Sequence, residues 1–260
     1  MRAKTLFLSF LCGFFEFYRK NFAQMAFMCD NINTSLAEVS VRPQASSDVW
    51  VFLFMESRMS RNCFYIDGFK VYYALEENPA FHKYKWLNYR KLAESVVGAK
   101  DTIAGIFYFT TFVRWHPESV ERHKRYISAL RSTGVEIIHG RFLEKSIKCH
   151  KCQQYFKTHE EKQTDVNIAL KILGDAIDDL YDKAIIISAD SDLLSVIKSV
   201  QHHAPEKEIG VMFPIGRSSF ELRQNASFRR KMPGRLLQDC QFSDEVKIGD
   251  TIISRPESWR

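Results

Sequence analysis

From Arg61 onward, short apolar runs alternate with stretches whose apolar residues recur every three or four positions. Asn62 to Ile66 is a brief apolar run ending in Asp67-Gly68, which predicts a buried strand entering a turn. Tyr84 to Val97 has helical period, with Leu87, Leu92 and Val96 in step. Ile103 to Val113 is rich in Ile, Phe, Tyr and Thr and predicts a strand. Pro117 sits where a helix tolerates proline, in its first turn, and Gly134 marks the stop. Val135 to Ile138 predicts a strand. Glu160 to Leu180 predicts a long helix with Val166, Ile168, Ala169, Leu173, Ile177 and Leu180 as its apolar face. Ala184 to Ile187 is wholly apolar, as the centre of a parallel sheet requires. A helix over Asp190 to Val200, a strand over Ile209 to Phe213 and a short helix over Phe220 to Ala226 complete the series. Strands separated by helices imply right-handed crossovers and a mainly parallel sheet covered on both faces, an α/β fold of three layers.

The first 58 residues follow another pattern. Seven of the 21 phenylalanines fall within residues 1–28. The apolar run Thr5 to Phe15, preceded by Arg2 and Lys4, imitates a signal peptide. It is too short to span a membrane, which takes about 20 residues. Glu16, Arg19 and Lys20 follow at once, without a small-residue cleavage site. Residues 30–48 are polar and read as a linker, and Met55 and Met59 stand just before the first strand. The expectation is an N-terminal extension over 1–58 from an upstream start codon, a folded domain over 59–232, and a C-terminal tail over 233–260.

Composition narrows the class. With 45% hydrophobic and 26% charged residues in 260, the chain is ordinary globular protein, not a disordered, collagenous or coiled-coil sequence. A formal charge of +6 favours an anionic partner without naming one. Six cysteines are too few for a disulfide scaffold, and a cytoplasmic location is expected.

The chemistry lies in the acidic residues. In a parallel sheet, ligands bind beyond the carboxyl ends of the strands. Asp67 closes the first strand, and Ser188-Ala189-Asp190-Ser191-Asp192 closes the central one, so both deliver carboxylates to one rim. Asp165 stands early in the long helix. Carboxylates crowded on one rim stay protonated unless a cation neutralises them. Hard oxygen donors suit Mg²⁺ or Mn²⁺, ions able to activate water against a phosphodiester. Capping alone also explains aspartates at strand ends and helix starts, most easily for Asp192.

Three segments carry a resemblance. Tyr65-Ile66-Asp67-Gly68-Phe69-Lys70-Val71-Tyr72-Tyr73 resembles the opening motif of the NYN domain in its LabA-like branch. Glu160 to Ala169 and Ala184 to Asp192 resemble its second and third motifs, in the family's order. The resemblance covers roughly Arg61 to Met232, and the tail is similar to an extension seen in that branch. It implies a PIN-like fold, metal-dependent cleavage of RNA, and catalytic, metal-holding roles for Asp67, Asp165, Asp190 and Asp192. Where the family usually has Asn after Gly-Phe, this chain has Lys70. That ammonium either clamps a phosphate or replaces part of the metal's charge and leaves an inactive RNA-binding module.

Lys70, Ser188, Ser191, Arg217 and Arg223 are the residues expected to meet substrate. Residues 217–235 hold six cations against Glu221, a surface suited to phosphates or simply a solvated face. Tyr72, Tyr73, Phe109 and Phe112 either stack bases or fill the core. Cys149 and Cys152 have the spacing of a zinc knuckle but no second pair, so Zn²⁺, a reduced loop pair and a redox pair all remain open. The expected partner is single-stranded RNA, with no membrane; a homo-oligomer is left open.

Overall fold

The computed structural model describes residues 59–112, 117–148 and 150–260. The extension expected over 1–58, Val113 and Cys149 lie outside the described residues. Strand β1 (Arg61–Asp67) leads into α1 (Gly68–Glu76), then α2 (Tyr89–Val96), β2 (Thr102–Thr110), α3 (Pro117–Arg131) and β3 (Glu136–His139). An antiparallel hairpin follows, β4 (Arg141–Lys148) with β5 (Tyr155–Lys162). Next come α4 (Thr164–Ile177), β6 (Lys183–Ile187), α5 (Leu194–His203), β7 (Glu208–Phe213), α6 (Phe220–Asn225) and β8 (Phe228–Lys231). The tail forms α7 (Gly234–Asp239) and a small hairpin, β9 (Glu245–Ile248) with β10 (Thr251–Ser254).

Six strands make one sheet in the order β3-β2-β1-β6-β7-β8, every pairing parallel. The chain winds outward from β1 on one side and from β6 on the other. The order therefore reverses between β1 and β6, where an open parallel sheet forms its binding crevice. Side-chain alternation builds two cores. Phe64, Ile66, Ile185 and Ile187 pack with Trp86, Leu92 and Leu130 on one face. Cys63, Tyr65, Ala184 and Ile186 pack with Ile168, Ile172 and Ile197 on the other.

Three expectations about elements need correction. Tyr84 ends a short 3-10 helix, and residues 85–88 are not helical. Asn88 caps α2 by accepting the Lys91 N–H, so that helix begins at Tyr89. Residues 160–162 belong to β5, because Gln163 takes a left-handed conformation (φ 80°) that separates strand from helix. The buried face of α4 is Ile168, Ile172 and Ala176, while Val166, Ile177 and Leu180 are exposed. Phe109, offered as a stacking residue, is buried in the second core.

The tail is structural. Ser57–Arg260 forms one unit. The Trp259 ring lies 5.6 Å from Tyr126 and 6.2 Å from Trp86, and the Trp86 Nε1–H donates to the Ser243 carbonyl at 2.8 Å. No helix among the described residues is long and apolar enough to cross a membrane.

On α3, His123 meets the Thr110 hydroxyl at 3.1 Å, and burial, aided by His139, pushes it down to about 4. The folded protein then binds fewer protons than the unfolded chain between pH 6.5 and 4. Stability is full above pH 6.5 and is lost toward pH 4, by roughly 3 kcal/mol from this residue. In thermal melts, His123→Gln should remove that share of the acid-side loss. Parallel wild-type and variant curves across this range would refute it.

Candidate functional site

Asp67 ends β1 at the point where the sheet order reverses. Its side chain is 1% exposed. One carboxylate oxygen accepts the Lys70 backbone N–H at 3.0 Å, capping α1, and the other accepts the Ser188 hydroxyl at 3.0 Å. Two hydrogen bonds favour its charge, yet burial outweighs them and raises the carboxyl to about 7, with Asp165 adding repulsion.

Asp190 follows β6 and caps the turn Ser191–Leu193 by accepting the Asp192 N–H at 3.2 Å. Its second oxygen pairs with the Lys70 ammonium at 2.7 Å. Burial works to raise this carboxyl, but Lys70 and the Asp192 N–H together hold it below the usual range. Asp165 opens α4 from the face of the second core, and burial followed by Asp190 raises it. Burial also works against the Lys70 charge, but Asp190, Asp67 and Asp165 raise it overall.

Carboxylate oxygens of Asp67, Asp165 and Asp190 lie within 4.8 Å of one another. Ligand oxygens on one octahedral Mg²⁺ stand roughly 3 to 4.2 Å apart, so the group must draw closer together to share a single ion. The donor set fits a hard divalent cation. Three carboxylates gather about one ammonium, and the raised Asp67 carboxyl reflects chiefly its burial, with Asp165 a smaller addition.

The remaining candidates fall into distinct places. Asp192 is exposed and outside the close group, acting on Asp165 only at longer range. Ser188 is fully buried; its hydroxyl donates to Asp67 and accepts the Asp190 N–H at 3.1 Å, so it orients two carboxylates. Ser191 is exposed on the turn. Arg217 pairs with Glu77, and Arg223 is exposed on α6. Tyr73 is exposed and stacks at 6.3 Å on Phe69, and Phe112 stacks at 5.1 Å on His139. Cys152 is an exposed free thiol at the tip of the β4–β5 hairpin. Its intended partner Cys149 is outside the described residues.

Gly68 makes the site's geometry affordable to the backbone. A Cβ there would meet the Phe109 carbonyl at 2.7 Å and the Tyr108 ring at 2.6 Å. Gly68→Ala must push α1 off the strand ends and Asp67 with it. The expected cost is about 1–2 kcal/mol in urea titrations, with weaker Mn²⁺-induced thermal stabilisation. Unchanged metal response would show that α1 does not fix Asp67.

Set beside known proteins, residues 61–229 match the NYN domain. The chain is 27% identical over 248 residues to 6-hydroxy-3-succinoylpyridine 3-monooxygenase HspA of Pseudomonas putida (strain DSM 28022 / S16), covering 79% of this chain and 77% of that protein. It is also similar to the crystal structure of a protein of unknown function from Vibrio parahaemolyticus RIMD 2210633. That likeness has a TM-score of 0.49 at 16% identity and covers 67% of this chain and 94% of the other.

Proposed function

The chain belongs to the NYN domain family, and on that premise we propose that it is a metal-dependent endoribonuclease of the LabA-like branch. The observation that carries this reading is the convergence of Asp67, Asp165 and Asp190 at the reversal of strand order. These three residues would hold one Mg²⁺ or Mn²⁺, with Asp192 on the adjoining turn as a further carboxylate. A bound divalent ion supplies charge stabilisation for the phosphate and acidifies water. Ser188 fixes the orientation of Asp67 and Asp190. The Lys70 side chain is half exposed, so its ammonium can leave Asp190 for a phosphate oxygen. Arg217, once released from Glu77, and Arg223, on segments that follow β7, offer cations to the RNA backbone. The free thiols of Cys63, Cys152 and Cys240 suit a reducing compartment such as the cytoplasm. The pyridine chemistry in the relative's name is not carried over at 27% identity.

The 2.7 Å contact from Lys70 to Asp190 favours a second reading, in which the ammonium stands in for the cation and the domain only binds RNA. The test is the full chain on labelled single-stranded RNA, with EDTA, Mg²⁺ and Mn²⁺ in parallel. Cleavage with Mn²⁺ or Mg²⁺ and none in EDTA is expected. Salt-dependent binding without turnover under any metal would replace the nuclease with the binding module.

A further inference from the structure

Beside the acidic group lies a cavity of about 450 Å³, bounded by α1, the end of β2, α3 and Trp259. Aromatic side chains dominate its wall, among them Tyr72, Tyr89, Tyr108, Tyr126, Phe142 and Trp259. Gly68 and Phe69, the two residues after Asp67, also line it. The cavity and the carboxylates are therefore on either side of one strand-to-helix joint.

Its polar groups are few and placed. Lys85 is 6% exposed, pairs with Glu76 and lies 5.3 Å over the Tyr72 ring. Arg122 donates to the Ser119 hydroxyl at 2.9 Å, and its nearest carboxylate, Glu118, is 3.8 Å away and almost fully exposed. Thr111 is 4% exposed, and its hydroxyl is sealed beside Gly140 and the Thr164 hydroxyl, so it adds no polar contact to the cavity.

From these walls and groups we propose that the cavity receives one nucleobase of the RNA, with its ribose, next to the phosphate held at the carboxylates. This rests on the nuclease reading of that group. Flat π-faces on several sides suit a planar ring, and stacking on aromatic side chains supplies about 1–3 kcal/mol per base. The volume falls within the range of small-ligand sites and exceeds a base alone, which leaves room for the sugar. Arg122 at the wall meets a flanking phosphate.

The experiment is titration of the full chain, in EDTA, with AMP, CMP, GMP and UMP, followed by calorimetry and by tryptophan fluorescence. Ribose 5-phosphate and nicotinate serve as further probes. At least one nucleotide should bind at least about tenfold tighter than ribose 5-phosphate, because the ring supplies the stacking energy. Ser119→Phe, which fills the cavity from the first turn of α3, should weaken that binding at least about tenfold. Equal binding of ribose 5-phosphate, or nucleotide binding untouched by Ser119→Phe, overturns the proposal. So does nicotinate binding without any nucleotide binding, which would mark a site for small aromatic acids. Because no metal is present, absence of RNA cleavage leaves this test readable, and cleavage without nucleotide binding sinks only the cavity.

Discussion

Asp67→Asn should make the metal-free protein more stable and at the same time abolish its metal-dependent cleavage. The two effects share one cause. A carboxyl raised from 3.8 to about 7 in the folded state carries a penalty of about 4 kcal/mol on its charged form. The sign follows from proton counts. Between pH 3.8 and 7 the folded chain holds more protons at this site than the unfolded chain does. Stability contributed here is therefore full below pH 3.8, falls as pH rises, and reaches its lowest value above pH 7. Asparagine removes the charge and keeps both contacts: its carbonyl oxygen accepts the Lys70 N–H, and its amide can donate to Ser188. Part of the desolvation cost stays with the amide, so the expected gain is about 1–2 kcal/mol at pH 8 in EDTA, shrinking to nothing near pH 4.

The activity moves the opposite way. Losing a group that merely supports a metal ligand costs about 10- to 100-fold, so losing the buried ligand itself should cost at least about 100-fold in cleavage. Mn²⁺ should raise the wild-type melting temperature, as any ligand that binds only the folded state must, and should leave Asp67→Asn unmoved. A variant that is less stable at pH 8, or one that cleaves at the wild-type rate, would show that Asp67 is a capping residue and nothing more.

The sequence made the site more legible than its surroundings. Asp67 and Asp190 could be placed because each ends an apolar run, and strand ends in a parallel sheet meet at one rim. Asp165 joined them from its place early in the long helix, and the resemblance added its role, although that helix was drawn four residues too long at the start. A left-handed Gln163 has no periodic signature, so the boundary between β5 and α4 was invisible. The face of α4 was misjudged because Val166, Ile177 and Leu180 are apolar yet exposed, and hydrophobic period alone counts them as core. The β4–β5 hairpin was missed because the side chains of β4 are largely exposed and no apolar face alternates along that strand. Ser188 looked like a substrate contact on sequence grounds. Only coordinates show its hydroxyl bonded to Asp67 and Asp190.

Lys70→Asn should tighten divalent-cation binding at least about tenfold while leaving the fold's stability nearly unchanged. The stability statement follows from exposure: the Lys70–Asp190 pair is half open to solvent on the lysine side, and such pairs contribute about 0–1 kcal/mol. The backbone N–H of residue 70 still caps α1 through Asp67, so the helix start survives. The metal statement follows from charge. An ammonium 2.7 Å from an Asp190 oxygen opposes a second cation at the same oxygen. Two unit charges 4 Å apart near a protein surface repel by about 4 kcal/mol. A flexible lysine escapes most of that by swinging outward, and the remainder gives the tenfold figure. Mn²⁺ titrations read by melting temperature measure it directly, and an unchanged midpoint would mean the ammonium does not compete for the site. The same variant separates the two roles open to Lys70. If the ammonium steadies a phosphate, RNA cleavage persists with a raised KM. If it replaces the cation, Lys70→Asn gains turnover that the parent chain lacks, because the carboxylates then meet the metal alone.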